Sequence, residues 1–322
     1  MKAENVLVTG GCGFIGSHAC EMLLEKGYHV LCADNMDNFY PASRKLQNIS
    51  AYAQHVGFEF MQTDITDIKE VDKLFAHSRI DLVLHLAAKV NVFESFGHEE
   101  EYTLVNVRGT EVILNAMLRH GVNKILFTSS SSVYGANDNK SFRESAPLHP
   151  LSPYANSKVQ AEEVIRNFQE KHNLSALILR LFNVYGPRIR PDLLISRLHR
   201  SAIDQSVIHL YNYGRNQKDF THISDVMAGM YAAIDRLLGA EPSIETYNLG
   251  TGHAVTVLEV MHTMENLLGR NIPAALTESL VGDVGYTCAD IEAAKHDLSY
   301  VPVFAIREGL NDTIAYLNKY HE

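Results

Sequence analysis

The run Val6-Leu-Val-Thr-Gly-Gly-Cys-Gly-Phe-Ile-Gly16 constrains this chain more than any other segment. A short apolar stretch ends at Thr9, then Gly10, Gly13 and Gly16 recur at every third position before a helix-like stretch to about residue 26. Glycines permit a tight turn and a close backbone approach to a pyrophosphate, whose charge is met by the amino end of the following helix. The spacing G-x-x-G-x-x-G differs from the ordinary dinucleotide fingerprint G-x-G-x-x-G. A glycine-rich turn alone can be merely tight, so the context decides. Here a second apolar run, Val30-Leu-Cys-Ala-Asp34, ends in an acid. A carboxylate about 20 residues beyond the glycines accepts the adenosine ribose hydroxyls and repels a 2′-phosphate, which favours NAD over NADP.

Downstream, Ser152-Pro-Tyr-Ala-Asn-Ser-Lys158 places Tyr154 and Lys158 four residues apart, on one face of a helix. A free phenol has a pKa of about 10 and is a poor base at neutral pH. A neighbouring ammonium and the charge of an oxidised nicotinamide both stabilise phenolate. The product is a general base beside a hydride acceptor, as oxidation of a sugar hydroxyl requires. Taken alone, the pair reads first as surface residues of an amphipathic helix; the glycine turn tips the reading to chemistry.

With 322 residues the chain is long enough for one large or two moderate domains around a sizeable core. Its hydrophobic content of 46% and charged content of 20% are those of an ordinary soluble protein. No secretory signal and no apolar run of about 18 residues is present, so neither export nor a membrane span is expected. Cys12, Cys20, Cys32 and Cys288 lack zinc-like pairing; no metal is expected, and free thiols suit a reducing cytoplasm. A formal net charge of −10 argues against nucleic acid and anionic membrane as partners. An anionic substrate therefore needs a local cluster of cations.

Strand-like runs at 58–62, 81–88, 124–129 and 174–182 alternate with helix-like stretches at 101–120 and 153–171. Such alternation implies an α/β fold: a doubly wound parallel sheet of Rossmann type with right-handed crossovers. After Phe182 short elements interleave, which reads as a smaller C-terminal substrate-binding domain capping the carboxyl ends of the strands. The expected division is 1–181 for the dinucleotide and 182–322 for the cap, with about 222–246 packing back on the first domain.

Thr9-Gly-Gly-Cys-Gly-Phe-Ile-Gly16, Leu86-Ala-Ala88, Asn106, Ser130 and Tyr154-Ala-Asn-Ser-Lys158 together resemble an extended short-chain dehydrogenase/reductase. The resemblance extends to the nucleotide-sugar epimerase/dehydratase branch through Arg180-Leu-Phe-Asn-Val-Tyr-Gly-Pro187, Lys218-Asp-Phe-Thr-His-Ile-Ser-Asp225 and Tyr247-Asn-Leu-Gly250. Within it, Arg188-Ile-Arg-Pro-Asp192 and Gly282-Asp-Val-Gly-Tyr-Thr-Cys-Ala-Asp290 most resemble UDP-glucuronate 4-epimerases. The resemblance implies a tightly bound NAD and a homodimer pairing the 101–120 and 153–171 helices across a two-fold axis. It assigns Gly10, Gly13, Phe14, Ile15 and Gly16 to the pyrophosphate, and Asp34, Asn35 and Asn38 to the adenosine ribose. Asp64 and Ile65 fall to the adenine, and Leu86, Ala87, Ala88 and Lys89 to the nicotinamide half. Asp64 reads equally as a turn or N-cap residue. Asn106 takes a structural or cofactor role, while Ser130, Tyr154 and Lys158 are the catalytic trio, the latter two also touching the cofactor.

Family dehydratases carry an Asp-Glu pair in the segment equivalent to Ser130-Ser131-Ser132, and the related decarboxylases a glutamate at the place of Ser132. Here the segment reads Thr-Ser-Ser-Ser-Ser-Val-Tyr-Gly, without a carboxylate. A keto sugar formed there has no acid or base for a second step and is reduced again, which implies epimerisation at C4. The resemblance places Ser130, Ser132, Asn183, Arg188, Arg190 and Lys218 on a UDP-sugar substrate. Lys218 stands where an arginine is usual for the pyrophosphate, and lysine keeps the charge but loses the fork. Arg190 falls nearest the sugar carboxylate of a uronate; its other reading is a loop residue paired with Asp192. Asn183 stands where hexose epimerases carry asparagine, which keeps UDP-glucose and UDP-N-acetylglucosamine open. The alternatives of another class are an idle NAD-holding scaffold and a net dehydrogenase with exchangeable cofactor.

Overall fold

The computed structural model describes residues 4–136, 141–280 and 282–320. Seven strands form its central sheet: β1 (Asn5–Thr9), β2 (His29–Asp34), β3 (Phe58–Gln62), β4 (Leu82–His85), β5 (Lys124–Ser130), β6 (Ser175–Leu181) and β7 (Ile244–Leu249). Their order is β3-β2-β1-β4-β5-β6-β7, and every neighbouring pair is parallel. The fold class is therefore the doubly wound sheet expected. Buried on both faces, the strands read as near-continuous apolar runs. In β1, Val6 and Val8 face one core, with Leu82, Leu126 and Leu177, while Leu7 faces the other, with Val83, Ile125 and Phe127.

The chain reverses order between β1 and β4, so a crevice opens beyond their carboxyl ends, where ligands of such sheets bind. The Pro153–Lys171 helix starts as the sequence predicts, with the Ser152 hydroxyl accepting the Ala155 amide and proline in the first turn. The 101–120 stretch is less regular than its periodicity suggests. A short helix, Glu99–Tyr102, runs into a π-helical turn, Thr103–Arg108, before the α-helix Gly109–His120.

Residues beyond 182 do not all belong to the cap. The Ile223–Leu238 helix packs on the helix α1 (Phe14–Glu25) and on β5 and β6, and β7 extends the sheet beside β6. The cap itself is small. Gln217–Lys218 pairs with Val255–Thr256 and Tyr286–Thr287, and Ile208–Leu210 with Ala274–Leu276. Its frame is tied by buried Asp219, which accepts the amides of Thr251, Gly252 and Ala289 at 2.8, 3.0 and 3.1 Å.

Candidate active site

At the glycine turn two close approaches dictate residue type. Gly10 has φ +69°, and a Cβ there would lie 2.7 Å from the Ala87 nitrogen. A Cβ on Gly16 would lie 2.1 Å from the Gly10 oxygen, so α1 can sit this tightly on the turn only with glycine. No side chain caps α1, and no acid occupies its first turn. Ser17 is the first residue whose amide bonds back, to the Gly13 oxygen, at 3.0 Å. The amides of Phe14, Ile15 and Gly16 are thus the orphan donors of the helix start, a ready anion site. These features fit a dinucleotide pyrophosphate.

Asp34 closes β2 beside this turn. It accepts the Cys12 amide at 3.2 Å and the Met36 amide at 2.9 Å, and Lys45 stands 3.5 Å away. Lys45, which the sequence analysis missed, is buried and also pairs with Asp37 at 2.6 Å. In the sequence it is one more cation after Ser43-Arg44, indistinguishable from a solvated one. Asn35 and Asn38 lie exposed in the following turn, and Asn35 donates to Asp64 at 3.3 Å. Asp64 orders its own turn, with its carboxylate accepting both the Thr66 amide and hydroxyl. Those hydrogen bonds outweigh burial and hold its pKa below the ordinary value. The side chain of Ile65, expected at the adenine, turns instead into the core, under Gly109.

The carboxyl ends of β1 and β4 are stapled together. Thr9 Oγ1 lies 2.7 Å from His85 Nδ1 and accepts the amides of Leu86 and Ala87 at 3.2 Å each. Because Thr110 donates its hydroxyl to the Asn106 oxygen, His85 Nε2 must be the donor across the 3.1 Å to Thr110 Oγ1, and Nδ1 the acceptor from Thr9. Burial keeps this imidazole neutral, its pKa pulled down to about 3. Asn106, re-aimed by the π-helical turn, accepts the Lys89 amide at 2.7 Å and donates to the Lys89 oxygen at 2.9 Å and to Ser157 at 2.8 Å. It thereby clamps the Leu86, Ala87, Ala88 and Lys89 loop to the helix that carries Tyr154. The Lys89 ammonium points away, into a pair with Glu101.

Ser130, Tyr154 and Lys158 converge at the end of β5. Ser130 Oγ accepts the Ser132 amide at 3.2 Å and the Ser132 hydroxyl at 3.0 Å, which fixes its position. Burial holds the Tyr154 phenol above its ordinary pKa, while a hydrogen bond with Ser130 and the Arg190 charge pull it back. The Tyr154 ring stands edge-on to Tyr102, centroids 6.2 Å apart. The Lys158 ammonium sits 4.3 Å over the Phe127 ring, and burial drives its pKa down to about 7 against the opposing charge of Glu162. Glu162 is not free to act: both its oxygens hold Arg180, at 3.0 and 2.7 Å, and it accepts Ser129 at 2.6 Å. If Ser130 holds the phenol down, Ser130→Ala should shift the acid limb of the pH–rate profile to higher pH. The same variant should lower turnover at neutral pH, by less than loss of the tyrosine. An unmoved limb would rule out this role.

The cations expected on the substrate are each engaged within the chain. Arg188 pairs with Glu21 on α1 at 2.6 Å, which ties its segment to the first helix. Arg190 donates from Nε and Nη2 to the two oxygens of Asp192, each at 2.9 Å, and lies 5.7 Å from the Phe39 ring. Lys218 pairs with Asp283 at 3.0 Å and also reaches the Val284 oxygen. Asn183 donates to the Asp219 oxygen and to Thr287, each at 3.2 Å.

A parallel sheet reversing at β1, an open glycine turn with Asp34 behind it, and a Ser-Tyr-Lys cluster at the same edge define a dinucleotide-dependent enzyme of short-chain dehydrogenase type. Residues 6–250 match the model of the NAD dependent epimerase/dehydratase family. The chain belongs to that family, and NAD is its cofactor. An uncharacterised UDP-glucose epimerase of Bacillus subtilis is 34% identical over 321 residues, covering 98% of this chain and 99% of the relative. A UDP-glucuronate 4-epimerase of Thermodesulfobacterium geofontis is 33% identical, covering 96% and 94%. Among solved structures, UDP-glucuronic acid 4-epimerase from Bacillus cereus, in complex with UDP-glucuronic acid and NAD, superposes with a TM-score of 0.93. That enzyme is 31% identical, covering 98% of this chain and 100% of its own.

Proposed function

We propose that this protein is an NAD-dependent UDP-sugar 4-epimerase whose preferred pair is UDP-glucuronate and UDP-galacturonate. The observation that carries the reaction type is the surroundings of Ser130. The phenol of Tyr154 stands beside it and the ammonium of Lys158 over Phe127 of the same strand, while the nearby carboxylate, Glu162, is locked to Arg180. NAD, when bound, supplies the chemistry of taking a hydride from the sugar carbon and returning it. Tyr154 takes and returns the proton of the C4 hydroxyl, and Ser130 shares that hydrogen bond. Lys158 stabilises the phenolate. With no carboxylate in the Ser129–Ser132 segment to drive elimination, these residues act on C4 alone, and the net change is inversion there.

Preference for the uronate is supported by Arg190, whose charge acts on the Tyr154 phenol. It is supported too by the likeness to the Bacillus cereus enzyme. UDP-glucose is the second reading, favoured by Asp192 filling the Arg190 fork. The same proposal includes a homodimer across the 101–120 and 153–171 helices, where Leu104 and Leu118 are exposed. It also includes a cytoplasmic location, which suits four buried free thiols. No helix among the described residues is long and apolar enough to cross a membrane.

The glycine turn and a redox-neutral cycle lead to a first test. Purified protein should carry NAD(H) without addition, released by heat and identified by chromatography, and should form a C4 epimer when offered a panel of UDP-sugars. A preparation holding only NADP, or no dinucleotide, would overturn the reading.

A further inference from the structure

Each cation expected on an anionic substrate meets a resident carboxylate: Arg188 meets Glu21, Lys218 meets Asp283 and Arg190 meets Asp192. Of the three, Arg190 is the one whose charge acts on the Tyr154 phenol. Asp192 offers both its oxygens to Nε and Nη2, the two-point arrangement a sugar carboxylate would itself adopt. The two side chains remain 18% and 22% exposed, so the pair is open to exchange and not sealed in the core. Phe39 borders the guanidinium plane. The edge best suited to a uronate is therefore filled.

We infer that Asp192 sets sugar selectivity as a resident counterion, one that a uronate carboxylate has to displace from Arg190 and a neutral sugar does not. The inference rests on the proposed UDP-sugar 4-epimerase reading. Displacement exchanges one carboxylate for another at the same fork, so the preference for the uronate is smaller than an open fork would give. Asp192 is only two residues away, tethered through Pro191, and on leaving the fork it stays close enough to repel the incoming charge. Asp192→Asn keeps the shape and removes that charge. It should leave the fork available to the substrate.

The test is calorimetric binding of UDP-glucuronate, UDP-glucose and UDP to NAD-loaded protein carrying Tyr154→Phe, which prevents turnover. Adding Asp192→Asn should raise the ratio of UDP-glucuronate to UDP-glucose affinity by about tenfold or more, with UDP itself little changed. Asp192→Ala should move the ratio in the same direction, and serves if the asparagine variant does not fold. An unchanged or lower ratio, with binding intact, would overturn the inference alone: Asp192 would then orient Arg190 for the uronate. Failure of the NAD-loaded parent to bind UDP or either sugar would overturn the UDP-sugar reading and this inference with it.

Discussion

Tyr154→Phe should reduce C4 epimerisation by about 10²–10⁴ while leaving the protein folded and loaded with NAD. The substitution deletes one oxygen. The ring keeps its edge-on contact with Tyr102, and Ser130 keeps its hydrogen bonds with Ser132. What is lost is the proton acceptor. Lys158→Met should fall in the same range, because methionine keeps an unbranched apolar stem over Phe127 and loses the ammonium. Turnover, heat-released NAD and thermal melts of the variants separate chemistry from folding. Near wild-type turnover by Tyr154→Phe would mean that the proton leaves through another group, and the catalytic assignment would be wrong.

The sheet was legible because parallel strands buried on both faces read as short apolar runs between helix-like stretches. Tyr154 and Lys158 were legible because helical spacing alone puts them on one face. The seventh strand was not, since Ile244-Glu-Thr-Tyr-Asn-Leu249 interleaves polar residues on the sheet edge and follows a change in chain pattern. The π-helical turn that aims Asn106 carries no compositional mark, and His85 sits in an apolar run that gives no hint of its bridge from Thr9 to Thr110. Ion pairs formed across the fold are equally silent. Nothing near Lys218 in the chain announces Asp283, and nothing near Arg188 announces Glu21. Asp192, only two residues from Arg190, was visible as a competing partner, and the structure forms that pair.

Arg190→Leu should change the choice of sugar more than any other single substitution in the cap. A lost charge-assisted contact costs about 1.5–3 kcal/mol, roughly ten- to a hundredfold in the preference for UDP-glucuronate over UDP-glucose. A second effect has to be separated from this one. Arg190 also helps hold the Tyr154 phenol down, so its loss should shift the acid limb to higher pH and slow every substrate alike. Selectivity, measured as the ratio of kcat/KM values at one pH, cancels that common factor and isolates the contact with the sugar. Leucine also leaves Asp192 without the guanidinium, and the freed carboxylate repels a uronate further, in the same direction as the lost attraction. The uronate reading fails if wild-type protein turns over UDP-glucose or UDP-N-acetylglucosamine faster than UDP-glucuronate, or if Arg190→Leu leaves the ratio unchanged. Arg190 would then serve Asp192 and the phenol, and Asn183 would be the better guide to a neutral sugar.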